Sequence, residues 1–408
     1  MKQLSLCIVA TANDRNLERC LESARKAVDE IILINTEPTI RIREIGERFG
    51  ATVYDYDQGG SLIEAYNLAL AKANGDWILW MHADEQVDET DSLRLRDMLY
   101  KEHCDLIFLH VVEYSLNGAG RTRILDLAYP RLIRNFAGFK FIGKHTYELL
   151  NYDMLTRYGK NDRVAIAPIR IYDYRKENYP AGNRYNALRE LELLERELRT
   201  AVEENPWLAY HFACEYYRLQ VYSPGFRLLN SVIRHYLDKD KIPPAIVYKL
   251  KYAVVLDDVY TEEVIRGLQV AVRMYPEYVD LQFYSGVAQF RKKQYEEAIY
   301  YFARCIELGE QSKEYLIRKG AGSHQAYFYN GLCMERLGRM EEAAASYIKS
   351  VELSSGYNPP VEALSRIAGS SLVDIPYLVN EDSDVEWTEL QSLMEKQKSE
   401  PEKNLSKN

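Results

Sequence analysis

Residues 75–86 read GDWILWMHADEQ, an aromatic-rich apolar run that breaks off at two carboxylates, Asp84 and Glu85. The run from Trp77 to Met81 has the length and composition of a buried strand, so it carries those carboxylates to a strand's C-terminal end, with His82 beside them. In an open α/β sheet that edge is where ligands bind, because each strand there gives way to a loop and a helix N-terminus. A carboxylate at such a place can hold a divalent metal, and the metal can hold a diphosphate. The plainer alternative is a helix cap or a surface charge, and the surrounding elements decide between the two.

Those elements are regular. Leu4 to Ala10 is a short apolar strand, followed by Leu17, Cys20, Leu21, Ala24 and Val28 at helical spacing. Glu30 to Ile34 is a second strand, and the helix after it, through Ile45 and Phe49, stops at Gly50. Thr52 to Tyr56 is a third strand. Ser61 and Glu64 form a capping-box pattern that opens a helix from Leu62 to Lys72, and the fourth strand is the one that ends at Asp84. Strands alternating with helices imply a largely parallel, doubly wound sheet with right-handed crossovers. After a helix near Leu93 to Tyr100, the segments DLIFLHVVEY and RTRILDLAYPRLIRN around the turn Asn117-Gly118, then RVAIAPIRIYDY to Tyr174, read as a mixed half of the same domain. This α/β domain is expected over residues 1–176.

A linker helix follows over 177–205, and residues 206–370 read as helix with internal repetition in units beginning near Pro206, Ala245, Val279 and His324. The third unit places Gly286, Tyr295, Ala298 and Phe302 where a helix-turn-helix repeat of about 34 residues wants them. The fourth repeats the pattern with Gly331, Gly338, Ala343 and Tyr347. Small residues suit close helix crossings and large ones fill the holes, so the units are expected to stack into an all-α solenoid with a concave binding surface. Tyrosine is abundant, with 33 in the chain. Tyr210, Tyr217, Tyr284 and Tyr301 recur at helical spacing and are read as repeat packing rather than as ligand contacts. Residues 371–408 form an extension expected to be partly disordered.

A net charge of -9 over 408 residues argues against general nucleic-acid affinity, which needs clustered Lys and Arg. The six cysteines lack a CxxC pair or regular spacing, which suggests buried reduced thiols in a cytoplasmic protein rather than zinc ligands or disulfides. No apolar run reaches the length of about 18 residues that a membrane span needs, and the N-terminus does not read as a signal peptide.

The segments LERCLESARKAVDEIILINTEPT, NGDWILWMHADEQVD and RLIRNFAGFKFIGKHTYELL resemble the family 2 glycosyltransferases of the GT-A fold. More narrowly they are similar to bacterial members that carry tetratricopeptide repeats (TPRs) after the catalytic domain, a group that includes peptide and protein glycosyltransferases. The resemblance runs from about Leu4 to about Leu353. It implies an Asp-x-Asp pattern at the strand end, binding a metal and the donor ribose, where this chain has His82, Ala83 and Asp84. It also implies a His late in the domain that completes the metal site, where RIYDYRKENY offers Asp173. One His and two carboxylates (His82, Asp84 and Asp173) would then hold Mn2+ or Mg2+ by an exchange of ligand types. Three further departures accompany these. The aspartate that contacts the nucleobase in the family is Asn35 here, also readable as the start of the turn before Pro38. The arginine before the helical Asn67 is Tyr66, and a His-Glu pair is replaced by Thr146-Tyr147.

The reaction implied is attack by an acceptor hydroxyl or thiol on the anomeric carbon of a nucleotide sugar, a UDP-sugar foremost, with the metal compensating the leaving diphosphate. Thr11 and Asn13 occupy the positions of the nucleoside contacts, and Lys144 or Arg134 would offset phosphate charge. An inverting transferase needs a general base within reach of the acceptor, for which Glu148, His145 and Glu85 are the candidates. The repeats would present a peptide or protein acceptor, or bind another copy of the chain. The alternative is a catalytically degenerate transferase-like scaffold that binds protein partners.

Overall fold

A computed structural model of the chain describes residues 3–11, 14–56, 61–100, 103–116, 122–142, 149–152, 163–174, 181–257, 261–312 and 314–369. The chain divides into two compact units, Met1–Lys251 with Ser312–Leu316, and Tyr252–Gln311 with Ile317–Asn408.

In the first unit, β1 (Leu4–Ala10) is buried along its whole length. It runs parallel to β2 (Glu30–Asn35) on one side and β4 (Trp77–His82) on the other, and β3 (Thr52–Asp55) lies parallel to β2. The register sets Ala10 beside Asn35, Val9 beside His82 and Asn35 beside Asp55, so these strand ends share one edge. Helices α1 (Leu17–Arg25), α2 (Ile40–Arg48) and α3 (Leu62–Lys72) alternate with them. The capping box at α3 is formed: the Ser61 hydroxyl accepts from the Glu64 amide at 3.3 Å and the Glu64 carboxylate accepts from the Ser61 amide at 3.2 Å.

The second half of the sheet differs from a simple continuation. A three-residue strand that the pattern does not announce, β5 (Glu85–Val87), follows β4 at once. Two single turns, α4 (Glu89–Ser92) and α5 (Leu95–Met98), replace the longer helix expected near Leu93 to Tyr100. Then β6 (Leu106–Leu116) and β7 (Thr122–Arg134) pair antiparallel, and β7 also lies antiparallel to β4. β8 (Phe141–Ile142) and β9 (Leu149–Leu150) pair separately. β10 (Val164–Asp173) runs parallel to β6 and antiparallel to β5, giving the order β3-β2-β1-β4-β7-β6-β10-β5. The expected turn Asn117-Gly118 lies outside the described residues.

Helices α6 (Ala181–Glu197) and α7 (Arg199–Glu204) occupy the expected linker. The helical region does not begin as a separate body at Pro206. Helix α8 (Pro206–Arg218) is buried on nearly every face, the mark of a core helix rather than a surface one. Its Trp207 and Tyr210 rings pack against Phe108 of β6, with centroids 4.9 and 5.9 Å away, and its Glu215 accepts from the Tyr129 hydroxyl of β7 at 2.9 Å. Arg218 lies 3.2 Å from both Glu113 and Glu215, so buried charge is paired across the sheet-helix contact. Helix α9 (Tyr222–Leu237) completes the hairpin.

The chain continues through α10 (Ala245–Tyr252) and a 3-10 turn (Ala253–Asp257) to α11 (Glu262–Met274). In the second unit the hairpins α12 (Val279–Arg291) with α13 (Tyr295–Leu308), and α14 (His324–Arg336) with α15 (Met340–Leu353), start where the repeat pattern places them. Helix α16 (Pro359–Ile367) follows. The glycines act as expected: a Cβ on Gly286 would sit 2.7 Å from the Phe302 ring, and one on Gly331 2.6 Å from Tyr347. Tyr210, Tyr217 and Tyr284 are buried as packing residues, whereas Tyr301 is half-buried. All six cysteines are buried free thiols.

Because Phe302 is wholly buried, its ring has no room to yield, and Gly286→Val is expected to destabilise the second unit by about 1–3 kcal/mol through overpacking. Denaturant titration of that unit's transition checks this; an unchanged midpoint would show that the crossing tolerates a larger residue.

Candidate active site at the C-terminal edge of the sheet

The strand ends set by the register converge on the turn His82-Ala83-Asp84-Glu85, which contacts from several elements hold. The His82 ring is buried, with Nδ1 3.1 Å from the Tyr66 hydroxyl of α3, and it packs edge-on against Trp80 with centroids 5.4 Å apart. The Asp84 carboxylate is half-buried and accepts from the Asn16 side-chain amide at 2.9 Å. The Asp84 carbonyl accepts from the Tyr174 amide just beyond β10, at 3.1 Å. Glu85 is fully buried; its carboxylate accepts from the His82 amide at 2.9 Å and pairs with the Arg131 guanidinium.

His82 and Tyr66, two positions at which this chain departs from the family it resembles, are hydrogen-bonded to each other.

At the neighbouring strand end Asn35 is buried, and its amide group donates to Asp55 at 3.0 Å. That bond fixes the flip of the side chain and leaves Asn35 Oδ1 without a hydrogen-bond partner among the described residues. Asp55 in turn pairs with Arg43. Thr11 follows β1 at the same edge, and its amide donates to Asp14 at 2.5 Å. Burial raises the Asp14 carboxyl above the usual range and the nearby Asp84 adds to the rise, against the opposing hydrogen bonds from Thr11 and the nearby His82. Asp14, Asn16 and Arg131 are site residues that sequence reasoning passed over. The run TANDRN carried the signal for the first two; for Arg131 it was the need of a buried Glu85 for a cation.

The structure separates other expected residues from this cluster. Arg134 pairs in register with Trp77 at the beginning of β4, not with its end. Five strand intervals of about 3.3 Å put roughly 17 Å between that level and His82. Its guanidinium donates to the Cys104 carbonyl at 3.1 Å and lies 3.3 Å from Asp105. Asp173 is paired in register with Glu85 and is fully buried. Among the described residues no three His, Cys, Asp or Glu side chains gather closely enough to hold a metal, so the set His82, Asp84 and Asp173 is not formed. Two half-exposed carboxylates, Asp84 and Asp14, with no third ligand gathered among the described residues, would suit a cation that shares its coordination with phosphate, as magnesium does with one or two protein carboxylates. Glu85 is wholly enclosed. Asn13, Lys144, His145 and Glu148 lie outside the described residues.

Two outcomes follow for this edge. Asp84→Ala removes one partly exposed hydrogen bond, so the variant is expected to unfold within about 1 kcal/mol of the parent in chemical denaturation; a loss of several kcal/mol would make Asp84 a structural residue. For Asp14 the folded-state shift is upward, so the neutral acid is favoured in the fold. Its stabilising effect is present below the ordinary aspartate range and is lost as pH rises through the raised value. Melting temperature followed over that window should fall for the parent relative to Asp14→Asn, and parallel curves would contradict the shift.

Residues 5–154 match the model described as glycosyl transferase family 2, and residues 268–313 match a tetratricopeptide repeat model. A TPR repeat-containing protein of Synechococcus elongatus is 28% identical over 261 residues, which cover 63% of this chain and 62% of the relative. The chain thus spans less than two thirds of that relative's length. Among solved structures, a crystal structure of the TPR protein YrrB shares 14% identity with a TM-score of 0.34, covering 45% of this chain and 85% of that one. MamA residues 41-end from Desulfovibrio magneticus RS-1 share 18% identity with a TM-score of 0.32, covering 42% and 86%. No described helix is long and apolar enough to cross a membrane.

Proposed function

We propose, on the premise that this chain carries a family 2 glycosyltransferase domain of mixed α/β architecture followed by tetratricopeptide repeats, that it transfers a sugar from a nucleotide-sugar donor to a peptide or protein acceptor held by the repeats. The observation that carries this reading is the half-buried Asp84 carboxylate, oriented by Asn16 at the edge where β1, β2 and β4 end. The anomeric carbon exchanges its bond to the diphosphate oxygen for one to the acceptor oxygen or sulfur, and the acceptor proton passes to a base, for which Glu148 and His145 are the candidates. Asp84 would hold a divalent cation, which would supply charge compensation for the leaving diphosphate. The reaction inverts the anomeric centre if it takes place in this single displacement.

Asn35 spends one of its two amide hydrogens on Asp55, so its second N–H and its oxygen suit a ring acceptor or a ring N–H alike and select no base. UDP-sugars are the first donors to test, with ADP- and CDP-sugars beside them.

Thermal stability against UDP-, dTDP-, GDP- and ADP-sugars, with and without Mn2+, tests the reading on the parent and on Asp84→Ala. Ligand at a hundred times its dissociation constant adds about 2.7 kcal/mol. A shift with a UDP-sugar that needs the metal and disappears in the variant is expected. No shift with any donor would contradict it. Asn35→Leu should weaken the favoured donor by about tenfold, the worth of one buried hydrogen bond and the partner it leaves unpaired.

A further inference from the structure

Arg131 is the most enclosed cation beside the site, with 2% of its surface exposed. It projects from β7 beside the end of β4, its guanidinium carbon lying 3.8 Å from the centre of the Trp80 ring. One of its nitrogens pairs with Glu85, while Nε and Nη1 have no hydrogen-bond partner among the described residues. Stacking on an indole supplies part of the compensation that those N–H groups lack. A fully buried ion pair is seldom retained for stability alone, because apolar residues of similar volume commonly do as well or better.

The contacts of Glu85 suggest what the pair is for. One oxygen faces Arg131 and the other accepts the His82 amide, so the carboxylate closes the ends of the four-residue turn on each other, with Asp84 between them. We infer that Arg131 is a positioning residue for donor binding: by holding Glu85 it fixes the turn 82–85 and with it the direction in which Asp84 meets the diphosphate. Arg131 touches neither donor nor acceptor and acts only through Glu85. The inference rests on the proposed transferase reading for its effect on the donor, and on the geometry alone for its effect on the turn.

The test uses the full chain in three forms: Arg131→Lys, Glu85→Gln, and the double variant Arg131→Met with Glu85→Leu. The double variant leaves no buried charge unpaired and is the form chosen to keep the fold. Hydrogen exchange at the His82 amide reads the turn without any donor, and UDP-sugar KM and kcat read the consequence. The expected result is native-like cooperative unfolding of the double variant with at least tenfold faster exchange at His82 and a KM raised at least tenfold. Glu85→Gln, which replaces one of the two acceptor oxygens by an N–H donor and can serve only one partner, should lose affinity as the double variant does, and Arg131→Lys, which keeps charge but not the planar fork, should fall between the parent and the double variant. Unchanged exchange at His82 in the double variant would overturn the inference, as would faster exchange with an unchanged KM. If the parent itself turns over no nucleotide sugar, the transferase reading fails while the exchange measurement still decides whether Arg131 fixes the turn.

Discussion

A carboxylate wholly removed from water must have a cation or donors against it, and Glu85 has both, the Arg131 guanidinium and the His82 amide. That requirement ties β7 to the end of β4 and fixes the turn from which Asp84 emerges. The rest of the edge is arranged around the same turn. Asn16 before α1, Tyr66 of α3 and Tyr174 after β10 all contact it, so elements distant in sequence meet within a few residues. Three parallel strands deliver the remaining groups, and their register brings Asn35 and Thr11 to the same level without a long loop.

The positions at which this chain departs from the pattern it resembles are in contact with their neighbours: His82 with Tyr66, and Asn35 with Asp55. The edge carries two half-buried carboxylates, Asp84 and Asp14, and these would suit a cation shared with a phosphate better than one held by the protein alone.

Much of this was legible in the sequence, and where it was not the reason is physical. Period and caps located β1 to β4, the α3 capping box and the repeat hairpins at Val279 and His324, because those signals are local. Small-large pairs such as Gly286 with Phe302 were readable because a close crossing admits no Cβ. Strand direction was not local. Arg134 and Arg131 stand three residues apart, yet β7 runs antiparallel to β4 and so carries Arg134 away from the site while leaving Arg131 beside it. The three-residue β5 was too short to leave a period. The packing of α8 on the sheet was only hinted at by PWLAYHFACEYY, whose apolar residues cover every face.

Mn2+ electron paramagnetic resonance on the parent and Asp84→Asn, with and without UDP, tests the central claim most directly. The account predicts that protein alone leaves the free-ion signal intact and that protein with UDP captures the ion, with capture lost in the variant. Tight Mn2+ binding by the protein without nucleotide, or capture with UDP that is indifferent to Asp84, would contradict it.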